Sequence, residues 1–488
     1  MSIVQPGVAP PENRAAPDEQ SGWAPWLGLA ASLAAVFMQL LDSTIVNVAL
    51  PSIAADLGAS ASQQLMTVSG YVLAFACTLI TAARLGDLYG RRRVFLTAMA
   101  LFVTASVACG AAVGPVWLIA ARMVQGLAAG AMSAQTFALI SGSFPPSRHG
   151  RVFGIYSATM ASATMAGPLL GGLLIHWDLF GWGWRLIFYV NVPLGLAALT
   201  VGWLHLIDAR PPGVRRLDPI GAVLSTVGLF LLIFPLIEGR ERGWPPVLVA
   251  MAVASVPVLA AFVLHERRLG GRGGDPVLPL GLFADRAFTR GALLAFAFFG
   301  TMSSLVFTVA LTLQYGLGFS PLRAGLTTMP WAVGTAVAAA LSATVVRRIG
   351  NLVLPLGMAL FAVSLVALSF EMPALGADPS PWAFVVPLLV GGSGLGLFLA
   401  PLQAAILATV RPANVGAASG LLPTVQQVGN VLGLAAIGAV FFALVDDRID
   451  AGSVTAYLHA QQRVLWGIAA LALVLGAAAL GLPRRNRT

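Results

Sequence analysis

The stretch LDSTIVNVALP, residues 41–51, closes the first long apolar segment of the chain and places one carboxylate, Asp42, inside it. A carboxylate at such a depth in a bilayer costs several kcal/mol unless it is paired, protonated or in a water-filled cavity. Acids in these positions are rare and mostly functional, so Asp42 is a candidate functional residue. The stretch alone leaves a second interpretation open, in which Asp42 forms a structural ion pair or a hydrogen bond between helices.

The composition of the 488-residue chain is that of a protein with many membrane spans. It is 58% hydrophobic and only 10% charged, whereas soluble domains carry about 25% charged residues. All 28 basic residues are arginine, and we interpret the net charge of +9 as Arg-rich cytoplasmic loops rather than a nucleic-acid surface. Cys77 and Cys109 both lie in apolar segments, so they predict neither a disulfide framework nor a metal site.

A membrane-spanning helix needs about 20 mainly apolar residues. Fourteen segments of the sequence meet this requirement and predict an all-α integral membrane protein. The predicted spans are residues 26–49, 64–83, 94–113, 116–139, 151–175, 184–206, 218–237, 246–264, 289–313, 322–345, 352–370, 382–408, 415–444 and 461–482. An even number of spans puts both termini on the same side of the membrane.

The arginines indicate which side that is. With fourteen spans, 21 arginines fall on the side of the termini and six on the opposite side, while Arg122 is left inside the fourth span. Cytoplasmic loops carry the excess of positive charge in membrane proteins. The sequence therefore predicts a multi-pass protein of the cytoplasmic membrane with both termini in the cytoplasm.

Short sequence matches about 260 residues apart indicate two related halves. Residues 83–90, after the second span, match residues 343–350, after the tenth, and MALF at 99–102 recurs at 358–361. Repeated halves around a midplane site are typical of transporters. The predicted units are residues 1–23 (disordered cytoplasmic tail), 24–207 (first six-helix half), 208–288 (two inserted helices with flanking cytoplasmic loops), 289–483 (second six-helix half) and 484–488 (cytoplasmic tail).

Three motifs lie in or beside the first five spans. RLGDLYGRRR, residues 84–93, follows the second span as a predicted basic loop, and its two glycines permit a tight turn. The fourth span contains RMVQG at residues 122–126. The fifth contains GPLLGG at residues 167–172, where glycine and proline permit a bend and close helix packing. Taken singly, each motif also fits an ordinary topology signal or packing contact.

Together with LDSTIVNVALP, these motifs resemble those of the major facilitator superfamily, in its fourteen-helix drug:proton antiporter branch of multidrug and antiseptic resistance exporters. The stretch WRLIFYVNVPLG, residues 184–195, is similar to the same branch. The resemblance covers residues 26–482 and implies a major facilitator fold of 6 + 2 + 6 spans. Two departures lie in the loop motif, where Ala83 replaces the usual glycine and Leu88 the usual arginine. They imply a weaker charge relay at Asp87.

The resemblance also implies a function and the residues that change conformation. The function is proton-coupled export of amphiphilic drugs or toxic natural products by a monomer, with the proton gradient in place of a cofactor and no nucleic-acid partner. The gating residues that it marks are Gly86, Asp87, Gly90, Arg91, Arg92, Gly167, Pro168, Gly171 and Gly172.

Depth along the helices gives an independent test of Asp42. It lies nine residues before Pro51, and Arg122 lies seven residues after Pro115. At a rise of 1.5 Å per residue, the two side chains are about 13 Å and about 10 Å from the outer ends of their spans. If both helices line the cavity, as the resemblance implies, the side chains can meet. Arg122 then favours the charged carboxylate and burial favours the neutral acid, so the pair can act as a proton switch.

Neutral polar and aromatic side chains within the spans are candidates for the substrate cavity, which needs an apolar wall and a few polar contacts. The predicted cavity residues are Gln39, Asn47, Gln125, Gln135, Phe298, Gln314, Trp331, Gln426 and Asn430. Glu238, near the outer end of the seventh span, is expected to be solvated and outside this set.

Other classes of protein fit the sequence less well. The five histidines lie in loops or near helix ends without metal-ligand spacing, and no nucleophile elbow or phosphate loop is present. The chain is therefore not predicted to be an enzyme, and no segment is long enough for the ATPase domain of a pump. Proton-coupled uptake of a small metabolite stays open as an alternative, as does a membrane enzyme or lipid scramblase.

Overall fold

The computed structural model describes residues 23–145, 148–207, 217–239, 242–272, 274–278, 280–374, 381–408, 410, 415–446 and 454–482. Throughout these residues the chain is helical, with short turns between helices and no β-strand. Apart from Trp23, both predicted tails lie outside the described residues.

The α-helices follow one another with few residues between them. They are α1 (Ala24–Leu57), α2 (Ala61–Tyr89), α3 (Arg91–Gly110), α4 (Pro115–Ser143), α5 (His149–Trp177), α6 (Leu186–Tyr189), α7 (Asn191–His205), α8 (Pro219–Glu238), α9 (Pro246–Gly271), α10 (Arg286–Leu311), α11 (Pro321–Ile349), α12 (Val353–Ala374), α13 (Val385–Ala408), α14 (Val415–Asp446) and α15 (Val454–Ala479). A π-helical turn, Thr312–Gly316, extends α10.

Prolines and short polar caps set where several helices begin. Proline occupies the first turn of α1, α4, α8, α9 and α11, where its missing N–H costs no hydrogen bond. Ser60 caps α2 in a reciprocal capping box with Gln63. Asp285 and Ser320 accept backbone N–H groups at the starts of α10 and α11. These local signals place the ends of long apolar helices.

Among the described residues, twelve helical stretches are long and apolar enough to cross a membrane, and thirteen if the bent helix α5 is counted. The bend in α5 is 45° and falls between Thr164 and Leu169, where Gly167 and Pro168 weaken the helix. The predicted number of fourteen is not reached by this count, in which the 49-residue stretch Arg323–Glu371 is one span.

The helices pack in two groups with a pair beside them. In the first group α1 packs on α5 and α7, and α4 packs on α2 and α3. In the second group α10 packs on α14, α13 on α11 and α12, and α15 on α12. The groups meet along α5 with α11 and α2 with α14. Helices α8 and α9 pair with each other, and α8 also contacts α2 and α14, so this pair lies beside the junction.

The junction between the groups is tight at one end. We call the end where α1 begins and α15 ends the termini side, and the opposite end the far side. Near the start of α5, a Cβ atom on Gly154 would lie 2.5 Å from the backbone oxygen of Ala339 on α11. A Cβ atom on Gly150 would lie 3.3 Å from the Cβ of Ala343. Backbones this close require glycine, so α5 and α11 are closed on each other at the termini side.

The predicted basic loop after the second span is wrong. Arg84–Tyr89 complete α2, and Gly90 alone separates them from α3, which begins at Arg91. Gly90 has a φ of 97°, a conformation that glycine adopts without strain and that turns the chain within one residue. Arg84, Asp87 and Arg91 are buried rather than solvated.

The expectation that Glu238 is solvated is also wrong. Its side chain is fully buried at the end of α8. Oε1 accepts a hydrogen bond from the hydroxyl of Ser69 on α2 at 3.1 Å, and Oε2 accepts one from Nε of Arg242 at 2.8 Å. Because α8 packs against α2 there, a position near the membrane surface is still shielded from water.

Candidate functional site

Asp42 and Arg122 are both fully buried and lie against each other between α1 and α4. Nη1 of Arg122 donates a hydrogen bond to Oδ2 of Asp42, and Nε donates to the backbone oxygen of Thr67 on α2 at 3.2 Å. The guanidinium also lies over the ring of Tyr71, with Cζ 4.2 Å from the ring centroid. The two side chains that the sequence places at similar depth are therefore in direct contact.

The second carboxylate oxygen of Asp42 is held by two amides. Oδ1 accepts hydrogen bonds from Nε2 of Gln125 at 2.9 Å and from Nδ2 of Asn191 at 3.1 Å. Both amides also donate to Oγ of Ser106, at 2.8 Å and 3.0 Å. Oε1 of Gln125 accepts from Nη1 of Arg122 at 2.8 Å. Gln125, predicted to line the substrate cavity, belongs to this buried network instead.

The hydrogen bonds of the network suit the ionised form of Asp42. When the acid is ionised, the guanidinium and the two amides donate to it, which offsets part of the cost of burying the charge. When it is protonated, its hydroxyl needs an acceptor. Oδ1 of Asn191 is buried and has no hydrogen-bond partner among the described residues.

Sequence reasoning missed Asn191, Ser106 and Tyr71 as members of this site. Asn191 lies in the stretch WRLIFYVNVPLG, two residues before Pro193, and comparing its depth with that of Asp42 could have found it. Ser106 and Tyr71 carry no comparable signal, because hydroxyl and aromatic side chains are common in membrane helices without a special role.

Two glycines of the α5 motif bring that helix against α1, beside Asp42. A Cβ atom on Gly167 would lie 2.7 Å from the Cβ of Thr44 and closer still to its hydroxyl oxygen. A Cβ atom on Gly171 would lie 2.9 Å from Cγ1 of Ile45. Gly172 has no atom within 4 Å of its Cβ position. The motif therefore contains two glycines that the packing requires and a third that it does not.

The glycine and acid of the α2 motif are used in packing near the termini side. A Cβ atom on Gly86 would lie 2.6 Å from Cδ of Gln135 on α4. Nε2 of Gln135 donates to the backbone oxygen of Ala82 at 2.6 Å, so this predicted cavity residue joins α4 to α2. Asp87 pairs with Arg91 across Gly90 at 3.1 Å.

Arg92, also predicted to take part in gating, reaches across to α7. Nη2 donates to the backbone oxygen of Trp203, and Cζ lies 5.7 Å from the centroid of that indole ring. This contact connects the start of α3 to the end of the sixth predicted span.

The two aromatic residues predicted for the cavity pack against other aromatics of the second group. The ring of Phe298 is buried, with its centroid 4.9 Å from that of Phe398. Trp331 meets Phe361 edge-on at 5.7 Å. Neither lines the cavity described below.

The remaining predicted cavity residues have separate surroundings. Gln39 is half-buried, while Asn47 and Gln314 are exposed. Gln426 is buried, and its Nε2 has no hydrogen-bond partner among the described residues. Nδ2 of Asn430 donates to a neighbouring glutamine on α14 at 3.5 Å.

A cavity of about 370 Å³ lies between α5 and α11 toward the far side. Ser162 contributes the polar side chain of its lining, and the rest is small or apolar. The larger lining residues are Leu169, Leu326, Met329, Val333 and Val337. A volume of this order suits a small organic molecule, and the lining suits its apolar surface. None of the nine residues predicted for the substrate cavity lines this space.

Comparison with known proteins agrees with this architecture. Residues 32–434 match the family model of the Major Facilitator Superfamily. The chain is 38% identical over 456 residues to a probable actinorhodin transporter of Streptomyces coelicolor, covering 92% of this chain and 79% of that protein. It is 35% identical over 434 residues to the tetracenomycin C resistance and export protein of Streptomyces glaucescens, covering 87% and 77%. It is 35% identical over 426 residues to a puromycin resistance protein of Streptomyces alboniger, covering 85% and 81%.

Solved structures share the fold at low sequence identity. The proton:xylose symporter XylE superposes with a TM-score of 0.65 at 14% identity, covering 96% of this chain and 97% of that one. The human organic anion transporter MFSD10 gives a TM-score of 0.62 at 16% identity, covering 93% and 98%. These likenesses establish the helical architecture alone.

Proposed function

Because this chain belongs to the major facilitator superfamily, we propose that it exports amphiphilic drugs or toxic natural products in exchange for protons. Its family and its relatives make it a multi-pass membrane transporter that binds small molecules, not an enzyme. Relatives named for actinorhodin transport, tetracenomycin C export and puromycin resistance support the direction of transport and the kind of substrate.

The observation that carries the proton part of this proposal is the complete burial of Asp42 against Arg122, Gln125 and Asn191. Few groups in a membrane interior can exchange a proton, and a buried carboxylate is one of them. Small changes in hydration or in the distance to Arg122 would shift the balance between the charged and the neutral acid. Asp42 would thus release its proton in one conformation and take one up in the other.

The arrangement of the two helix groups supports alternating access. Helices α5 and α11 are closed on each other at the termini side, while a cavity lies between them toward the far side. With the termini in the cytoplasm, this is the conformation that has released the drug outside. The glycine contacts of α5 lie against α1 close to Asp42, so a movement of α5 during the return would reach the acid.

The largely apolar lining of the cavity favours neutral or singly charged amphiphiles as substrates. Actinorhodin, tetracenomycin C and puromycin are suitable first probes, because relatives bear their names. A susceptibility screen of cells with and without the protein would then extend the set.

The topology proposed for this function has fourteen spans. Arg323–Glu371 covers most of α11 and α12, and 49 residues of helix are about 70 Å long, about twice what one crossing needs. Counting both, and the bent α5, gives six spans in residues 24–207, two in 208–288 and six in 289–483. The functional unit would be a monomer.

Cysteines introduced near residues 10 and 485 should react with a permeant reagent only, and labelling of intact cells by an impermeant reagent would contradict this orientation.

The deciding experiment is drug transport in proteoliposomes under an imposed pH gradient, with Asp42→Asn as the variant. This change mimics the protonated acid, so drug exchange without a gradient should continue while accumulation against a drug gradient is lost. Asp56→Asn is the matched control, because Asp56 lies on the same helix but is half exposed and pairs with Arg185. If Asp42→Asn accumulates drug as well as the parent protein, Asp42 is a structural residue and the proton travels elsewhere.

A further inference from the structure

A second group of titratable side chains lies at the termini side, where the inserted pair α8 and α9 begins and ends. Asp218 precedes α8 and accepts a hydrogen bond from the backbone N–H of Gly221 at 3.0 Å. Nε2 of His265, near the end of α9, lies 2.9 Å and 3.1 Å from the two carboxylate oxygens of Asp218. Asp218 is buried, but the His265 side chain is 27% exposed, so the group has a route to water.

Glu266 adds a second carboxylate that is only 1% exposed. Oε2 accepts a hydrogen bond from the backbone N–H of Leu278 at 2.8 Å, whereas Oε1 has no hydrogen-bond partner among the described residues. A Cβ atom placed on Gly221 would overlap both this oxygen and Oδ2 of Asp218, so the two carboxylate oxygens flank the same point. Two ionised carboxylates repel each other there, while one shared proton joins them by a hydrogen bond.

The backbone held by Glu266 lies across the junction between the two helix groups. Asp275 pairs with Arg84 of α2 at 3.5 Å. Val277 and Leu278 line the same small space as the end of α2 and Leu421 of α14. This segment, residues 274–278, therefore covers the place where α2 of the first group meets α14 of the second, on the closed side of the molecule.

We propose that Asp218, His265 and Glu266 form a proton-binding site, separate from Asp42, that holds residues 274–278 against the junction of α2 and α14 when the termini side is acidic. Among the described residues, the charged groups with printed contacts at this site are its own three side chains, from the start of α8 and from α9. Beyond Leu278 the next ones are Asp275 on the segment and Arg84 and Asp87 on α2.

The sign of the effect follows from the charges. In acid, one proton is shared by the two carboxylates, so they do not repel each other and Glu266 keeps its hydrogen bond to Leu278. In alkali that proton is lost, the two negative carboxylates repel each other, and Glu266 releases the backbone N–H of Leu278. An acidic cytoplasm would therefore hold the termini side closed and slow further proton entry. Only the cytoplasmic orientation of that side is taken from the proposed function.

Hydrogen–deuterium exchange of the purified full chain tests this directly, without drug or proton gradient. The measurement is exchange in peptides containing Leu278 between about pH 6 and pH 8, above the range in which a solvated carboxyl group loses its proton, so that a proton held between two buried carboxylates can still be lost. After correction for the intrinsic rate, we expect exchange to rise by at least about tenfold toward pH 8, as for loss of a hydrogen bond to a charged group. Exchange without any pH dependence would refute the proposal.

Two neutralising variants keep the local geometry and should remove the response. The Glu266→Gln side chain can accept from Leu278 and donate to Asp218, so we expect slow exchange at both pH values. Asp218→Asn removes one of the two carboxylates, so it should also remove the pH response. The fold should be kept, because asparagine still caps α8. The matched control is Arg267→Gln, an exposed neighbour that also changes the charge by one. The proposal is overturned if Glu266→Gln keeps the pH response or if the control loses it.

A further arm separates this site from the transport proton. Asp42→Asn should leave the pH response of the Leu278 peptides unchanged, whatever its effect on drug transport. If Asp42→Asn removes the response, the segment is responding to Asp42, and the second site does not exist.

Discussion

Gly167→Ala is the smallest change that tests whether the contact between α5 and α1 serves transport. The added Cβ would lie 2.7 Å from the Cβ of Thr44, whereas ordinary contact begins at 3.4 Å. The shortfall is 0.7 Å for this pair and larger for the Thr44 hydroxyl. That hydroxyl cannot turn away freely, because it donates to the backbone oxygens of Leu40 and Leu41 at 3.0 Å. The helices must therefore separate, and α1 carries Asp42 with it.

The cost can be set by comparison with overpacked cores, where one extra methyl group lowers stability by about 1–3 kcal/mol. We expect a reduced unfolding free energy of that order and a larger fractional loss of transport, because Asp42 must stay aligned with Arg122. Gly172→Ala is the matched control, since its Cβ position is empty within 4 Å. A Thr44→Gly change in the Gly167→Ala background removes the closest atoms and should restore much of both properties.

The assays are thermal unfolding of the purified variants and drug efflux per unit of protein in the membrane. The Gly167→Ala variant should have a lower unfolding temperature and lower efflux than the Gly172→Ala variant. Equal stability and equal efflux in the two variants would show that a methyl group fits between α1 and α5 at Gly167, which would refute the close contact. Reduced stability with unchanged efflux would show that the contact is structural only.

Two further changes probe the polar contacts. Asn191→Ala removes a hydrogen-bond donor to the buried Asp42 carboxylate, so we expect the unfolding free energy to fall by about 1–3 kcal/mol. We also expect weaker proton-driven drug accumulation in proteoliposomes. Unchanged accumulation would show that Asn191 does not belong to the proposed proton site. Glu238→Gln leaves an amide oxygen that can accept from Ser69 but removes the charge paired with the half-exposed Arg242. We therefore expect the unfolding free energy to fall by less than about 1 kcal/mol and drug efflux to stay normal. A large loss of efflux would make α8 part of the transport path.

The helices were predictable because their physical signal is long and repeated. About 20 apolar residues are needed at each crossing, and the chain meets that need many times, so the helical membrane architecture could be predicted from the sequence. Their ends were less predictable. Residues 84–90 contain two charged residues and two glycines, a composition that suits a loop, yet six of the seven finish α2. Their charges are satisfied within the fold, by pairs such as Arg91 with Asp87, and the sequence does not show such partners.

The buried ion pair could be predicted for the same reason that it is costly. A charge inside a membrane needs a partner, and depth along two helices identified Arg122 as one that Asp42 can reach. Neutral amides are different, because each can be satisfied locally by another helix at little cost. Gln135 is used in this way, donating to Ala82, and Gln125 joins Asp42. Amide residues in the spans therefore indicate polar contacts between helices at least as often as they indicate a substrate cavity.

The apolar residues that line the cavity could not be predicted at all. Leu326, Met329 and Val333 would cost about the same free energy facing lipid, facing another helix or facing a drug, since all three environments are apolar. Their sequence pattern therefore carries no information about which surface they meet. What distinguishes them is that α5 bends near Gly167 and diverges from α11 beyond the tight contact at Gly154. Helix geometry thus fixes where the cavity lies, while the charged residues fix where the proposed proton site lies.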